Sequence, residues 1–492
     1  MLIPQSLGLK LKPWREDSLS FARFLLDKKN MKNKISTAEM MEKESISKVL
    51  LKLSVPAIIA MLINAIYNIV DTIFVGMLNN TSAIAAVSIV YPLFMFIGAI
   101  GVMFGAGGAS YLSRLLGEKR KEEADKTLTS TIIIGCIFSL IFTVFSTIFL
   151  DEFLLMYGAT ETIMPYAKEY GNVIVLGSIF TIGTAIMTNT IRAEGNAKYS
   201  MIATCIGAIT NIILDPILMF KFNMGIKGAA VATVIAQATS FIVLLRYYYS
   251  NRNYMNFKIN LFRPTFKMFF EILKIGIPIF VTQVLASFAL GFMNSGAKPY
   301  GDAALAAMGI VFRVMSIGFY IVFGIGQGFQ PVAGYNYGAR NFKRLDEAIK
   351  ITIKSSTIAA LTISILFMIF AKECMIIFTR DPEVTKIGIK AFRAASSLFP
   401  LFGCVNTYAV LFQALGKAVG AFILSISRQG IFYIPLMFIL PKFLGLDGVI
   451  FCQTAADGLA FLETIVMAIW LKKQFKIEKS QLSSLDTVQE IS

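Results

Sequence analysis

Residues 54–78 read SVPAIIAMLINAIYNIVDTIFVGML, an unbroken apolar run whose only charge is Asp71. Roughly 20 apolar helical residues cross a bilayer, so this run is long enough to span one. Lipid offers backbone groups no partner, and a long continuous run points to a helix, where a barrel would show short alternating segments. Eleven more such runs follow, near residues 88–113, 127–150, 171–190, 197–220, 228–248, 270–294, 304–330, 349–371, 391–414, 418–440 and 448–471. Only 15% of the 492 residues are charged, against about 25% in soluble domains, and the mean hydropathy is +0.68. The chain therefore reads as an all-α integral membrane protein of twelve transmembrane helices.

The twelve runs are two copies of six. A shift of about 221 residues lays Leu51-Lys-Leu-Ser-Val-Pro56 near Leu273-Lys-Ile-Gly-Ile-Pro278 and Ala83-Ile-Ala-Ala-Val87 on Ala304-Leu-Ala-Ala-Met308. The same shift brings Gly117 onto Gly338 and Gly195 onto Gly416. Six spans return the chain to its starting side, so the copies are parallel, pseudo-symmetric bundles with a cavity expected between them. The expected organisation is a polar N-terminal extension (1–45), an N-terminal lobe (46–250), a cytoplasmic linker (251–268), a C-terminal lobe (269–472) and a polar tail (473–492). Met31 and Met40 offer later starts for the extension, which has no apolar leader or cleavage site, so the first helix is expected to direct insertion.

The net charge of +16 comes from alternate loops and the two ends, including Lys119 to Lys121, Arg340 to Arg344 and Lys472 to Lys479. That is a topological pattern and not a nucleic-acid groove; it places both termini in the cytoplasm of a cell-membrane protein. Five cysteines show no pairing or metal-ligand spacing, and there is no histidine, so enzyme, metal and redox readings lose their usual parts.

An acid at the centre of a span costs about 2.5–3.5 kcal/mol on insertion scales, so Asp71 and Asp215 each need a reason. Asn64, Asn68 and Asp71 share a face of the first helix with Met61. Thr204, Asn211 and Asp215 share one on the fifth, and Thr233, Gln237 and Ser240 one on the sixth. Three polar stripes in one lobe satisfy each other by converging, which predicts a hydrated or cation-binding pocket there. Pro216 removes the donor that the Ile212 carbonyl would use, adding a further oxygen beside the carboxylate. Such an oxygen set suits Na⁺, and paired buried carboxylates suit H⁺ equally. The alternative, that the acids are structural glue, sits poorly with the second lobe, where the shift puts Phe292, Met293, Gly430 and Ile434 at the corresponding positions. Met61, Tyr67 and Met95 are read as adaptable walls. Arg313 and Arg428 either line the second lobe's cavity or snorkel; Glu194 caps or pairs at a helix end; Asp457 and Glu463 stay open.

Leu53-Ser-Val-Pro56 through Asp71-Thr-Ile-Phe-Val-Gly76, Arg192-Ala-Glu-Gly-Asn196, Asn211-Ile-Ile-Leu-Asp-Pro216 and Gly328-Phe-Gln-Pro-Val-Ala-Gly-Tyr-Asn-Tyr-Gly338 resemble the multidrug and toxic compound extrusion (MATE) family over residues 46–472. The resemblance implies a monomeric twelve-helix antiporter that expels cationic amphipathic compounds in exchange for H⁺ or Na⁺ by alternating access. The acids look most like the DinF-like branch, which implies Asp71, Asn211, Asp215 and Thr233 as the cation-coupling residues. Met61, Asn64, Tyr67, Asn68 and Gln237 are the expected substrate-cavity residues. The seventh helix, Pro278 to Asn294, lacks the acid that the other branch carries there. A flippase for a lipid-linked oligosaccharide or peptidoglycan precursor is the rival; it calls for extra helices and a basic cavity.

Overall fold

The computed structural model describes residues 37–78, 80–250 and 253–491, and among them all regular structure is helical. The expected N-terminal extension lies largely outside the described residues. Ten helices are each long and apolar enough to cross a membrane, and two bent pairs complete twelve spans. In chain order they are α1 (Ile46–Gly76), α2 (Thr81–Gly117), α3 (Lys121–Ile148), α4 (Met164–Leu176 and Ser178–Ala193), α5 (Ala197–Pro216) and α6 (Gly225–Tyr248). The second set is α7 (Phe266–Ala297), α8 (Asp302–Gly338), α9 (Phe342–Ile369), α10 (Pro382–Ser397 and Phe399–Ala414), α11 (Ala418–Ile426 continuing through Ile434–Leu444) and α12 (Leu446–Ile491).

Local chemistry shapes individual spans. α4 bends by 46° at Gly177 and α10 by 48° at Leu398, where Pro400 opens the second half without a donor for the preceding turn. Below Pro216 the fifth span resumes as a π-helical turn, Ile217–Lys221, and α11 carries its own π-helical stretch, Ser427–Tyr433. Such departures from the regular ladder recur where a helix carries function. α2 and α8, with 37 residues each, are about 55 Å long at 1.5 Å per residue. They overrun the spans read from hydropathy because residues past the apolar runs, such as Leu115 and Leu116 of α2 and Asn336 of α8, are buried against protein.

Those overruns join the lobes. α1 packs on α8, and α2 on α7 and α8. The contacts fall in the half of each helix nearest the face from which α1 starts, here the terminal face. A β-carbon on Gly324 would come within 2.8 Å of Ile58, and one on Gly328 would strike the Ser54 backbone at 2.5 Å; Gly117 and Gly338 abut Tyr335 and Arg114 backbone just as closely. Small residues thus let backbones meet directly, the packing mode that membranes favour. Polar bonds reinforce the seam: Arg114 reaches Glu271 at 2.9 Å and the Leu415 carbonyl at 3.2 Å, and Ser54 donates to Ile325 at 3.3 Å.

The segments flanking the lobes are more ordered than their polarity implies. Thr37–Lys43 is helical, Met41 is buried, and Arg344 of α9 donates to the carbonyls of Met41 and Glu44 at 3.0 and 2.7 Å. Past residue 472, α12 continues as a helix, with Phe475 buried and Glu478 bridging to Lys417 at 2.8 Å. Between the lobes, Met255 is fully buried and Asn256 is held by Asp125 through its backbone N–H (2.8 Å) and side-chain amide (3.0 Å). Glu194, just past the end of α4, accepts from the Tyr247 hydroxyl and from the Met255 N–H at 3.0 Å. It sits at a helix end, as its position in the sequence implied, and is held there by these two donors and not by an ion pair.

Burial pushes the Glu194 carboxyl up from 4.5 to about 7, against the opposing pull of those donors. Between these values the folded protein holds a proton that the unfolded chain releases, so stability falls as pH rises through this window and levels off above it. The Glu194 contribution amounts to at most about 3 kcal/mol. Thermal unfolding in detergent from pH 4.5 to 8 should show the fall in wild type and a flatter profile in Glu194→Gln.

Candidate functional site

A cavity of about 220 Å³ opens inside the first lobe. α1 packs against α5 and α5 against α6, and the three polar stripes meet across it: Met61, Asn64 and Tyr67 from α1, Thr204 and Asn211 from α5, Thr233, Gln237 and Ser240 from α6. Spacing alone placed these residues on common faces; helix packing turned the faces toward one another.

At the end of this cavity farther from the terminal face, the Asn211 amide donates to Asp215 at 3.1 Å and lies 3.5 Å from the Thr233 hydroxyl. Asn211, Asp215 and Thr233 are all buried. Asp71 follows Tyr67, and Asp215 follows Asn211, by one helical turn each, so the two carboxylates lie at the same level just past the cavity. Asp71 Oδ1, Asn211 Oδ1 and Asp215 Oδ2 are buried without a hydrogen-bond partner. Neither acid is ion-paired to a described basic residue. Three acceptors without donors form a set that can take a proton or coordinate a hard cation through oxygen.

Two expected wall residues fall elsewhere. Asn68 is exposed, and its amide donates to the Asn64 carbonyl at 2.7 Å; an amide that bonds its own helix one turn back is held along the helix instead of reaching across to α5. Met95 is half-buried and does not line the cavity. Conversely, α4 supplies Thr184, Thr188, Asn189 and Arg192. Thr184, Thr188 and Arg192 recur every four residues, a stripe that the reasoning applied to α1, α5 and α6 would have found. Gln327 comes from α8 of the other lobe, and no local pattern marks it.

Comparison with known proteins fits this geometry. The MatE family profile matches residues 56–217 and again 278–439, one copy in each half of the chain. The chain belongs to the MatE family. The multidrug export protein MepA of Staphylococcus aureus (strain MSSA476) is 30% identical over 441 residues, covering 90% of this chain and 97% of that protein. MepA of Staphylococcus haemolyticus (strain JCSC1435) is 29% identical over 445 residues, 90% and 98% of the two chains. Among solved structures, a MATE multidrug transporter in an outward-facing conformation superposes with a TM-score of 0.85 at 26% identity, covering 91% of this chain and all of that one. A MOP superfamily transporter from Pyrococcus furiosus gives 0.85 at 25% identity, covering 90% of this chain and all of that one. This MATE chain is a multi-pass transporter and not an enzyme.

The second lobe of the MATE fold carries intramembrane charge too, at positions other than those that correspond to Asp71 and Asp215. Arg428, on the π-helical stretch of α11, does not snorkel but is held largely buried within the lobe. It donates to Asp457 of α12 at 2.7 Å and lies over the rings of Phe319 and Phe402 at 4.7 and 4.4 Å. Asp457 also accepts from Gln453 at 2.8 Å. Glu463 Oε2 is buried without a partner, and Arg313 is exposed on α8. The first lobe thus leaves its acids without a cation, while the second supplies Asp457 with one of its own. Arg428→Ala alone, or Asp457→Ala alone, should cost about 3–5 kcal/mol because each leaves a buried charge unpaired. The double substitution should cost clearly less than the sum of the two in thermal unfolding.

Proposed function

We propose that this transporter is a multidrug exporter that expels cationic amphipathic compounds in exchange for H⁺ or Na⁺, with Asp71, Asn211, Asp215 and Thr233 as its coupling site. The three unpartnered oxygens on Asp71, Asn211 and Asp215 carry the reading. Two buried carboxylates lacking a basic partner are costly unless a transported cation or proton neutralises them. A Na⁺ would take oxygens from these residues; a proton would sit on either carboxylate and turn an acceptor into a donor. With both termini cytoplasmic, the terminal face is the cytoplasmic one, and the seam between the lobes closes that side. Cation binding repacks α1, α5 and α6 around the cavity that they share, drug leaves, and reorientation releases the cation inside. Drug and cation need not touch; each need only favour a different state. The pairing of Asp71 with the Asn211-to-Pro216 stretch supports a place in the DinF-like branch, and the protein works as a monomer. A flippase reading calls for helices beyond twelve, whereas the described residues supply ten single spans and two bent ones.

Efflux of a fluorescent cationic dye from proteoliposomes under an imposed H⁺ or Na⁺ gradient tests this. Wild type should respond to one gradient, and Asp71→Asn and Asp215→Asn should each cut gradient-driven efflux by about tenfold or more. Efflux indifferent to both substitutions, in protein of wild-type thermal stability, would remove these residues from the coupling site.

A further inference from the structure

The same cavity holds a charge of the opposite sign. Arg192, in the last turn of α4, lines it beside Asn189 and Gln327, at the end nearer the terminal face. The residue is only 6% exposed. Its guanidinium donates to the Gln327 side-chain oxygen across the lobe interface and to Asn189 Oδ1 at 2.9 Å. Both partners are neutral. Among the described residues no carboxylate lies within ion-pair reach of it. The acid nearest in sequence, Glu194, is turned away, its oxygens taken by Tyr247 and the Met255 N–H. The carbonyls at the end of α4 offset part of the charge, but a buried guanidinium facing only amides is an unusual thing to keep inside a membrane protein.

The cavity is therefore bipolar. Unpartnered carboxylate oxygens lie just past one end and an uncompensated arginine lines the other, and between them the α5 lining from Thr204 to Asn211 alone spans about 10 Å of helix rise. We propose that Arg192, with Asn189 and Gln327, forms an anion subsite that recognises the carboxylate of zwitterionic substrates whose cationic group points toward the Asp71 and Asp215 end. A planar guanidinium can take both oxygens of a carboxylate at once. Its present partners, two side-chain amides, can turn their N–H groups to the same anion. This inference rests on the reading of the cavity as the substrate site, and it assigns the residues that would hold a carboxylate, a role the acidic end cannot fill.

The test is equilibrium binding of two probes to detergent-purified protein by fluorescence anisotropy. One is a rhodamine methyl ester, a monocation; the other is the same rhodamine as its free acid, a zwitterion. In Arg192→Gln the ratio of the two affinities should shift about tenfold toward the ester, with Arg192→Lys falling between, because an ammonium keeps the charge without the fork. Parallel loss of both probes in either variant, at wild-type unfolding temperature, would make Arg192 a clasp between the lobes and overturn the subsite, as would an unchanged ratio. Dye efflux from proteoliposomes separates this outcome from failure of the transport reading. Wild type that binds both probes but moves neither overturns transport alone, and the affinity ratio still decides the subsite.

Discussion

Hydrocarbon gives a polar side chain neither water nor a counterion, and each polar group on a span must find its partner inside the protein. Much of this structure follows from that constraint. In the first lobe, stripes on α1, α5 and α6 turn inward and share one cavity. In the second, Arg428 and Asp457 close on each other, with two phenylalanine rings completing the enclosure. The first solution leaves oxygens to be satisfied by something that comes and goes, and the second leaves the acid nothing to wait for. Duplication thus produced one lobe suited to exchanging cations and one in which Arg428 already neutralises Asp457.

The lobes must also separate if access is to alternate, and the seam between them suits that. It includes glycine and serine packed against backbone, with a handful of hydrogen bonds and the Arg114–Glu271 pair, beside apolar side chains such as Met103 and Phe329. Without a hydrophobic driving force between helices in lipid, such contacts depend on close backbone approach and fall away together when that approach is lost. Gln327 sits on this seam and touches Arg192, so the floor of the cavity and the closure of the lobes are physically one place.

Spans, duplication and the intramembrane acids were legible because each rests on local composition and period. The stripes on α1, α5 and α6 were legible for the same reason, and so was the α4 stripe that went unread. Asn68 shares the stripe's face yet stays out of the cavity, because its amide had a second choice on its own helix. The length of α2 and α8 and the docking of Met41 were hidden, since a polar residue ends a hydropathy run whether water or another helix receives it.

By itself, the sequence determined that this chain crosses a membrane twelve times in two parallel sets, carries acids within two spans of its first half, and resembles one family of transporters. Those features are set by side-chain transfer energies and helical period, which act along the chain. Tertiary structure alone decided which charges are paired. Arg428 meets Asp457 across 29 residues, Arg192 meets Gln327 across 135, and Asp71 and Asp215 reach the same level from helices 144 positions apart. Whether a buried charge is neutralised depends on what lies within a few ångströms in space, and one-dimensional spacing carries no record of that distance.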